Sequence, residues 1–269
     1  TKRPLVVVTA PGPGSGKMAV CLSQLYHEHK NGVMAGYSKF ETFPVWDMAL
    51  SHPVNLAYEA ATADLNDINM IDPFHLESYG KTTVNYNRDV EIFPVLKEMF
   101  KRIYGDSPYK SPTDMGVNMV GSCIFDDEAV RSGARQEIIR RYYKESCALR
   151  KGTGRQETVD KIELLMKNAG IDIQDRPVVS SANLKAKVTG APAAAIEIKE
   201  GLIVTGKTSS LMGASSAMIL NALKVLAGLD DRVELISPSI IEPIHNLKVN
   251  HLGHNNPRMH INEVLIALT

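Results

Sequence analysis

The chain has 269 residues, 44% of them hydrophobic and 22% charged, and its 30 basic residues are balanced by 30 acidic ones. This composition is typical of a globular protein with one or two domains, and the lack of a basic excess disfavours a nucleic-acid-binding protein. Three widely spaced cysteines (Cys21, Cys123 and Cys147) and the lack of an apolar run near about 18 residues predict a reduced, cytoplasmic protein without disulfides or a membrane span.

The N-terminal stretch, residues 5–25, combines a strand pattern, a glycine loop and a helix pattern. Residues 6–9 are apolar and mostly β-branched, and apolar residues recur at helical spacing after Lys17. Glycines let backbone N–H groups turn toward a phosphate, and a helix N-terminus adds a positive dipole end. We therefore predict that the glycine loop (residues 12–17) binds a phosphate group, with Lys17 as a candidate catalytic residue. The predicted cofactor-binding residues of the loop are Gly12, Gly14, Ser15, Gly16 and Lys17.

The glycine loop departs from the P-loop pattern G-x-x-x-x-G-K-[ST] at two positions. Pro11 stands where the first glycine is required, and Met18 replaces the Ser or Thr that holds Mg²⁺. The alternative interpretation is a glycine-rich turn that only connects a strand to a helix.

A second strand is predicted over residues 32–43, after Asn31 and Gly32 have ended the first helix. A strand in this position is expected to pair in parallel with the first one, so its carboxyl end would face the same crevice as the glycine loop. Lys39 and Glu41 are therefore candidate site residues, and we assign Lys39 a catalytic role. A surface ion pair is the alternative.

A helix predicted over residues 54–65 leads to an apolar segment, residues 68–72, that ends in a carboxylate. P-loop proteins commonly present a metal-binding Asp in this way, and Mg²⁺ prefers oxygen ligands. Asp72 is therefore the predicted metal ligand, with Asp64 and Asp67 as weaker candidates, and the implied cofactor is ATP or another nucleotide with Mg²⁺. A helix end with turn-forming residues is the alternative.

Three further helices are predicted in the middle of the chain. The first covers residues 90–104 and has Pro94 in its first turn. The second, over residues 126–149, is dense in Arg and Glu, which is typical of a solvated or subunit-facing helix, and we expect a homo-oligomer. The third, over residues 159–168, is stopped by Gly170.

Strands are predicted at residues 177–181 and in a hairpin that turns at residues 199–201. Residues 201–208 satisfy the P-loop expression, but the four residues between its glycines favour a strand, so we interpret this match as a false positive.

Hydroxyl-bearing residues follow the hairpin and precede a helix predicted over residues 217–226. Thr208, Ser209 and Ser210 are candidate cofactor-binding residues of a second anion site, with simple helix capping as the alternative.

The C-terminal region contains His251, His254 and His260, which could share a metal if they were helical. Gly253 and Pro257 disfavour a continuous helix there, so local hydrogen bonding or the lining of a polar site is the favoured interpretation.

Together these elements predict an α/β protein with a P-loop-like parallel sheet flanked by helices, a helical middle segment and a second, smaller α/β lobe. The predicted boundaries are 1–122, 123–170 and 171–269. The chain lacks an initiator Met, and residues 262–269 form a helix pattern without a stop signal. We therefore expect a fragment of a longer protein, truncated in its second lobe.

Six segments have distinctive sequences: APGPGSGK (10–17), AGYSKFETFP (35–44), HPVNLAYEAATADLND (52–67), MIDPFHLE (70–77), YKSPTDMGVNM (109–119) and GKTSSLMGASSA (206–217). Together they resemble an uncharacterised bacterial family, domain of unknown function 1846 (UPF0371), over essentially the whole chain. Family members are nearly twice this length, which supports the expectation of a fragment. The family has no established function; some members carry an ATP-dependent peptidase label, but the chain has no H-E-x-x-H motif.

The glycine loop followed by AGYSK is also similar to ATP-dependent synthetases of the dethiobiotin-synthetase class, which implies that Lys39 contacts substrate or phosphate. Two functions follow from these observations. One is Mg²⁺-dependent phosphoryl transfer or ATP-dependent ligation, which the acidic residues 64–72 favour. The other is a non-catalytic binding or assembly protein that holds a phosphate-bearing small molecule, which Met18 favours.

Overall fold

The computed structural model describes residues 4–12, 14–40, 44–116, 118–199 and 201–269. The chain divides into two compact units, Thr1–Ile171 (unit 1) and Asp172–Thr269 (unit 2), and each is described by itself. Among the described residues, we find no helix with the length and hydropathy that a bilayer crossing requires.

Unit 1 is rich in helices and contains one small sheet. Its elements are α1 (Lys17–Lys30), α2 (Pro53–Ala61), β1 (Asn69–Ile71), α3 (Pro73–Tyr79), β2 (Val84–Tyr86), α4 (Asn87–Tyr104), α5 (Pro112–Met115), α6 (Asp127–Arg150) and α7 (Gln156–Ala169). Single turns of 3₁₀-helix cover Ala63–Leu65 and Val120–Cys123. Helices α1, α6 and α7 confirm three predictions: the helix after Lys17, the helix of the charged segment and the helix before Gly170. Their boundaries differ from the predicted ones by one to three residues.

The expected parallel sheet is not found in the described part of unit 1. β1 and β2 pair in an antiparallel register, with Met70 opposite Asn85. Residues 4–10 form no strand, and Leu5 and Val6 are 78% and 74% exposed. In residues 32–40, the β pairing found in the described structure is an isolated parallel bridge between Lys39 and Gly116. A strand needs a neighbouring strand to bond its backbone N–H and C=O groups. In the described structure, neither of these two segments lies beside such a strand over its length.

The predicted place of Pro94 in a first helical turn is also wrong. Helix α4 begins at Asn87, so Pro94 lies inside it, where its missing N–H removes one backbone hydrogen bond.

Two packed regions position the elements of unit 1. Helix α1 packs against α4 through Leu25, which joins a buried cluster with Phe93, Phe100 and Met115. Helices α2, α6 and α7 pack against one another, and Ile138 of α6 is fully buried. The helical segment that follows residue 122 therefore packs on α2 within unit 1.

Unit 2 is built around a β-hairpin. Its elements are α8 (Pro177–Thr189), β3 (Ala193–Lys199), β4 (Leu202–Lys207), α9 (Ala214–Ala227), α10 (Pro238–Asn246) and α11 (Ile261–Leu268), with a π-helical turn at Leu247–His251 and a 3₁₀ turn at Ile173–Asp175. The hairpin is antiparallel, with Ala194 opposite Gly206, and α8 and α9 both pack against it. Its turn contains Gly201 at φ +81°, whereas residue 200 lies outside the described part.

The strand predicted at residues 177–181 is wrong. Pro177 occupies the first position of α8, where its fixed φ suits a helix and its missing N–H is not needed. The described protein is thus a helix-rich α/β chain with small antiparallel sheets.

Candidate functional site

The glycine loop leads into α1 through two left-handed residues. Gly14 and Gly16 have φ angles of 72° and 85°, a region that residues with a Cβ rarely adopt. A Cβ at either position would meet no atom within 4 Å, so glycine is needed for the backbone conformation and not for space. Residue 13 lies outside the described part.

Helix α1 begins without a capping side chain. Gly16 is its N-cap residue, no described side chain forms a cap bond with it, and the first turn contains no acidic residue. The N–H of Val20 donates to the Gly16 carbonyl at 3.1 Å. The amides before Val20 have no acceptor within the helix, and the positive end of the helix dipole lies at the same place.

The Lys17 side chain folds back over the loop. Its Nζ donates to the Gly12 carbonyl at 2.8 Å and to the Ser15 hydroxyl at 3.2 Å. The Ser15 hydroxyl in turn donates to the same carbonyl at 2.5 Å. Gly14, Ser15 and Gly16 are exposed, so the loop and its cation are presented at the surface of unit 1.

Met18 has a packing role. Its side chain lies against the buried cluster that contains Leu25 and Phe93. The position that carries a Mg²⁺-binding hydroxyl in a P-loop is therefore used to anchor α1 to α4.

Lys39 is paired with residues of β2 and α4. Its Nζ contacts both carboxylate oxygens of Asp89 at 2.7 Å, donates to the Tyr86 hydroxyl and lies 4.6 Å from the centre of the Tyr86 ring. Its backbone N–H donates to the Met115 carbonyl at 2.6 Å. This arrangement ties the segment before residue 41 to β2 and α4, and Glu41 lies outside the described residues.

Asp72 is a buried helix cap. One carboxylate oxygen accepts hydrogen bonds from the N–H groups of Phe74 and His75, both at 3.0 Å. The other accepts from the N–H of Thr113 at 3.1 Å and from its hydroxyl at 2.5 Å. The side chain is fully buried, and these four bonds occupy the positions through which it would bind Mg²⁺. Its surroundings thus disfavour the metal role expected from the sequence and fit the turn-forming alternative.

Asp67, one of the two weaker candidates for a metal ligand, is held in an ion pair. The carboxylate of Asp67 forms a bidentate ion pair with Arg88, at 2.6 Å to Nε and 2.7 Å to Nη2. This hydrogen bond raises the pKa of Arg88. Among the residues that the structure describes, no group of three His, Cys, Asp or Glu side chains is placed to hold a metal ion, the C-terminal histidines included.

The hydroxyl residues of the second predicted anion site lie in unit 2, between β4 and α9. The Thr208 N–H donates to the Pro192 carbonyl at 2.8 Å. The Ser209 hydroxyl accepts from the N–H groups of Leu211 and Met212, which makes a local turn. Ser210 follows within this turn, and α9 begins at Ala214, three residues before the predicted start.

The P-loop expression at residues 201–208 is confirmed as a false positive, because Leu202–Lys207 form strand β4. A Cβ at Gly206 would lie 2.1 Å from the backbone N of Met218, so this glycine allows α9 to pack directly on the strand.

Some polar contacts had no signal in the sequence. Tyr86 and Asp89 hold Lys39 from about fifty residues away, and no local pattern predicts such a pair. The cap of α5 could have been found, because Ser111 and Asp114 form the S-x-x-D capping-box pattern and are reciprocally bonded. His75 Nδ1 lies 2.9 Å from the Ser111 hydroxyl, which joins this cap to α3.

Comparison with known protein families gives matches over nearly all of the chain. The description "Domain of unknown function DUF1846, N-terminal" matches residues 1–170, and "Domain of unknown function DUF1846, C-terminal" matches residues 174–269. The chain belongs to the DUF1846 family. The junction of the two family domains falls close to the junction of units 1 and 2.

Curated relatives in the DUF1846 family carry UPF0371 names. The chain is 61% identical over 269 residues to UPF0371 protein cu0538 of Corynebacterium urealyticum, covering 100% of the chain and 54% of that protein. It is 61% identical over 268 residues to UPF0371 protein str1377 of Streptococcus thermophilus and 60% identical over 268 residues to UPF0371 protein SpyM3_1021 of Streptococcus pyogenes, with the same shares covered. The chain therefore spans about half the length of the curated relatives it matches.

Proposed function

We propose that unit 1 binds a phosphate-bearing small molecule, such as a nucleotide or a phosphorylated metabolite, on the glycine loop and the first turn of α1. The observation that carries this proposal is the coincidence of left-handed Gly14 and Gly16, an uncapped helix N-terminus and the ammonium of Lys17 in one exposed loop. Backbone amides and a helix dipole at such a place favour an anion.

The charge balance at this end of α1 supports an anionic ligand over a neutral one. The first turn contains no carboxylate, and Lys17 is bonded to a neutral carbonyl and a hydroxyl. A phosphate oxygen can replace the Gly12 carbonyl as the acceptor for Lys17, since hydrogen bonds between charged groups are stronger than those to neutral ones.

The surroundings of the other candidate residues favour binding over turnover. Lys39 is paired with Asp89, and Asp72 is bonded to backbone and hydroxyl donors. Phosphoryl transfer depends on free positive charge and a metal around the transferred group. We therefore propose a binding role for this part of the protein, with ATP-dependent chemistry as the weaker alternative.

Calorimetric titration of the chain with ATP, ADP and inorganic phosphate tests the proposal. We expect Lys17→Ala to weaken the binding of each ligand about tenfold, because one charge-assisted contact is lost. Lys30→Ala removes a cation from the opposite end of the same helix and should leave the affinity unchanged. Equal affinities for the wild type and Lys17→Ala would refute the proposal, and Mg²⁺-dependent release of phosphate from ATP by the wild type would restore the catalytic alternative.

A further inference from the structure

An exposed apolar segment precedes the glycine loop in unit 1. Residues 5–8 have the sequence LVVV, and we name them the LVVV segment. Leu5, Val6 and Val7 each have at least 70% of their surfaces exposed, and Val8 is half-buried. Three consecutive apolar side chains are therefore almost wholly in contact with solvent. Contiguous apolar surface of this kind is typical of an interaction site.

The backbone of the LVVV segment is unpaired within the part of the chain that the structure describes. None of the described groups there donates a hydrogen bond to its carbonyl oxygens or accepts one from its N–H groups. Strands β1 and β2, the described strands of unit 1, pair with each other. The segment therefore offers both its backbone and its apolar side chains to another segment.

The residue types of the LVVV segment indicate what that other segment must supply. Valine is enriched in strands, and a continuous apolar run is typical of a strand that is buried on both faces, as in the interior of a parallel sheet. A strand with one solvated face would instead alternate apolar and polar residues. The sequence of the segment thus calls for a neighbouring strand and for apolar cover on both faces.

Full-length DUF1846 proteins contain enough further sequence to supply these elements. The chain matches 54% of UPF0371 protein cu0538, so nearly half of that protein lies outside the match. A second copy of the chain is a poorer candidate, because two LVVV segments would pair only as a two-stranded ribbon. Such a ribbon is marginally stable by itself and leaves its faces uncovered.

We propose that the LVVV segment is an interior strand of a sheet completed by the part of the full-length DUF1846 protein that lies outside this chain. That part adds at least one neighbouring strand, which bonds the backbone of the segment, and covers the side chains of Leu5, Val6 and Val7. The glycine loop follows a few residues later, so the completed sheet also fixes its position. The inference does not depend on phosphate binding by the loop.

Amide hydrogen exchange without any ligand, measured on full-length cu0538 and on this chain alone, tests the proposal. At the positions that match residues 5–8, we expect exchange at least about 100-fold slower in cu0538 than in the chain alone. Fast exchange at these positions in folded cu0538 would overturn the proposal. Slow exchange in the chain alone, together with a dimer in sedimentation, would overturn it in favour of a second copy.

One substitution, Val7→Glu, is compared in two proteins: this chain alone and a chimera in which the chain replaces the matched region of cu0538. Val7 is exposed in the chain alone, so the melting temperature should change there by less than about 1 °C. In the chimera, a carboxylate buried without a partner should lower it by at least about 5 °C.

Leu164→Glu is the matched control for this substitution. Leu164 is an exposed apolar residue of α7 on the same helical face as the exposed Asp160 and Lys167, and its substitution should leave both melting temperatures unchanged. An equal effect of Val7→Glu in the chain and in the chimera would overturn the proposal. If the chimera does not fold, the exchange comparison decides alone.

Discussion

The ammonium of Lys17 lies 2.8 Å from the carbonyl oxygen of Gly12, and this contact closes the glycine loop from within. The cation is therefore positioned at the mouth of the loop by neutral groups, and the amides of the first helical turn lie beside it. A ligand that supplies negative charge would gain contacts to the ammonium and to these amides, and the ammonium would lose one hydrogen bond to a neutral acceptor. Under the proposed function, the loop already has its binding conformation before an anion arrives, which would keep the entropic cost of binding small.

Lys39 and Asp89 should contribute to stability and not to phosphate binding. Lys39→Met leaves a half-buried carboxylate unpaired, and Asp89→Asn leaves the ammonium with the Tyr86 ring and hydroxyl. We expect each variant to be destabilised and the double mutant to show a coupling of about 1–2 kcal/mol in urea unfolding. The phosphate affinity of Lys39→Met should stay within about twofold of the wild type, and a loss as large as that of Lys17→Ala would return Lys39 to the ligand site.

Asp72 should behave as a structural cap. Asp72→Ala removes the acceptor for four buried donors, and we expect a loss of about 3 kcal/mol in the free energy of unfolding. Asp160→Ala on the exposed face of α7 is the control and should change stability by less than about 0.5 kcal/mol. Addition of Mg²⁺ should leave the melting temperature of the wild type unchanged, whereas a Mg²⁺-dependent rise that is lost in Asp72→Ala would contradict this assignment.

The ion pairs of Glu137 should make the free energy of unfolding decrease at acid pH. The hydrogen bond from Arg140 lowers the pKa of Glu137 from 4.5 to about 2, assisted by Arg141 and opposed by burial. Because the folded pKa is depressed, the stabilisation is complete above about pH 4.5 and is lost as the pH falls toward 2. The side chain is 35% exposed, so we expect only about 1 kcal/mol after solvent screening.

The measurement for this prediction is urea unfolding of Glu137→Gln and the wild type across the acid range. Their difference in unfolding free energy should be greatest at neutral pH and should narrow between pH 4.5 and 2. Glu163→Gln, which removes an exposed carboxylate from α7, is the control. A difference that stays constant down to pH 2 would show that Glu137 acts through packing and not through its charge.

Gly206 should tolerate no side chain. A methyl group there would collide with the backbone N of Met218, so Gly206→Ala should lose about 3 kcal/mol of stability or force α9 away from β4. Gly133 lies inside α6 with open space around it, and Gly133→Ala should stabilise the protein by about 0.5–1 kcal/mol. Thermal unfolding distinguishes these outcomes, and equal stability of Gly206→Ala and the wild type would contradict the close packing.

Helices with strong local signals could be predicted from the sequence. Helix α1 ends just before Asn31 and Gly32, and α7 ends just before Gly170, which has a φ of 64°, as the glycine positions indicate. The hairpin of β3 and β4 was also predictable, because its turn signal lies between two short runs with strand-like patterns. In each case the residues that decide the structure are neighbours in the sequence.

The sheet and the polar pairs could not be predicted in the same way. Residues 6–9 have strand propensity, but a strand forms only when another segment supplies its hydrogen bonds, and none pairs with them in the described structure. The prediction that Lys39 faces the crevice of the glycine loop depends on a parallel pairing of the first two predicted strands. In the structure its partner is Asp89, which lies on α4. Of the candidate site, the left-handed glycines and the helix start follow from local sequence, whereas the ion pair of Lys39 depends on a contact between distant elements.

The most direct test of the account is an NMR titration of ¹⁵N-labelled protein with inorganic phosphate, read at the backbone amides of the glycine loop. We predict saturable shifts at Gly14, Gly16, Lys17 and Met18, with the same apparent affinity at each amide, and weaker binding in Lys17→Ala. The claim that this loop binds phosphate would be contradicted if the loop amides did not shift while amides elsewhere in the protein showed saturable shifts. It would also be contradicted if the loop amides shifted with the same apparent affinity in Lys17→Ala as in the wild type.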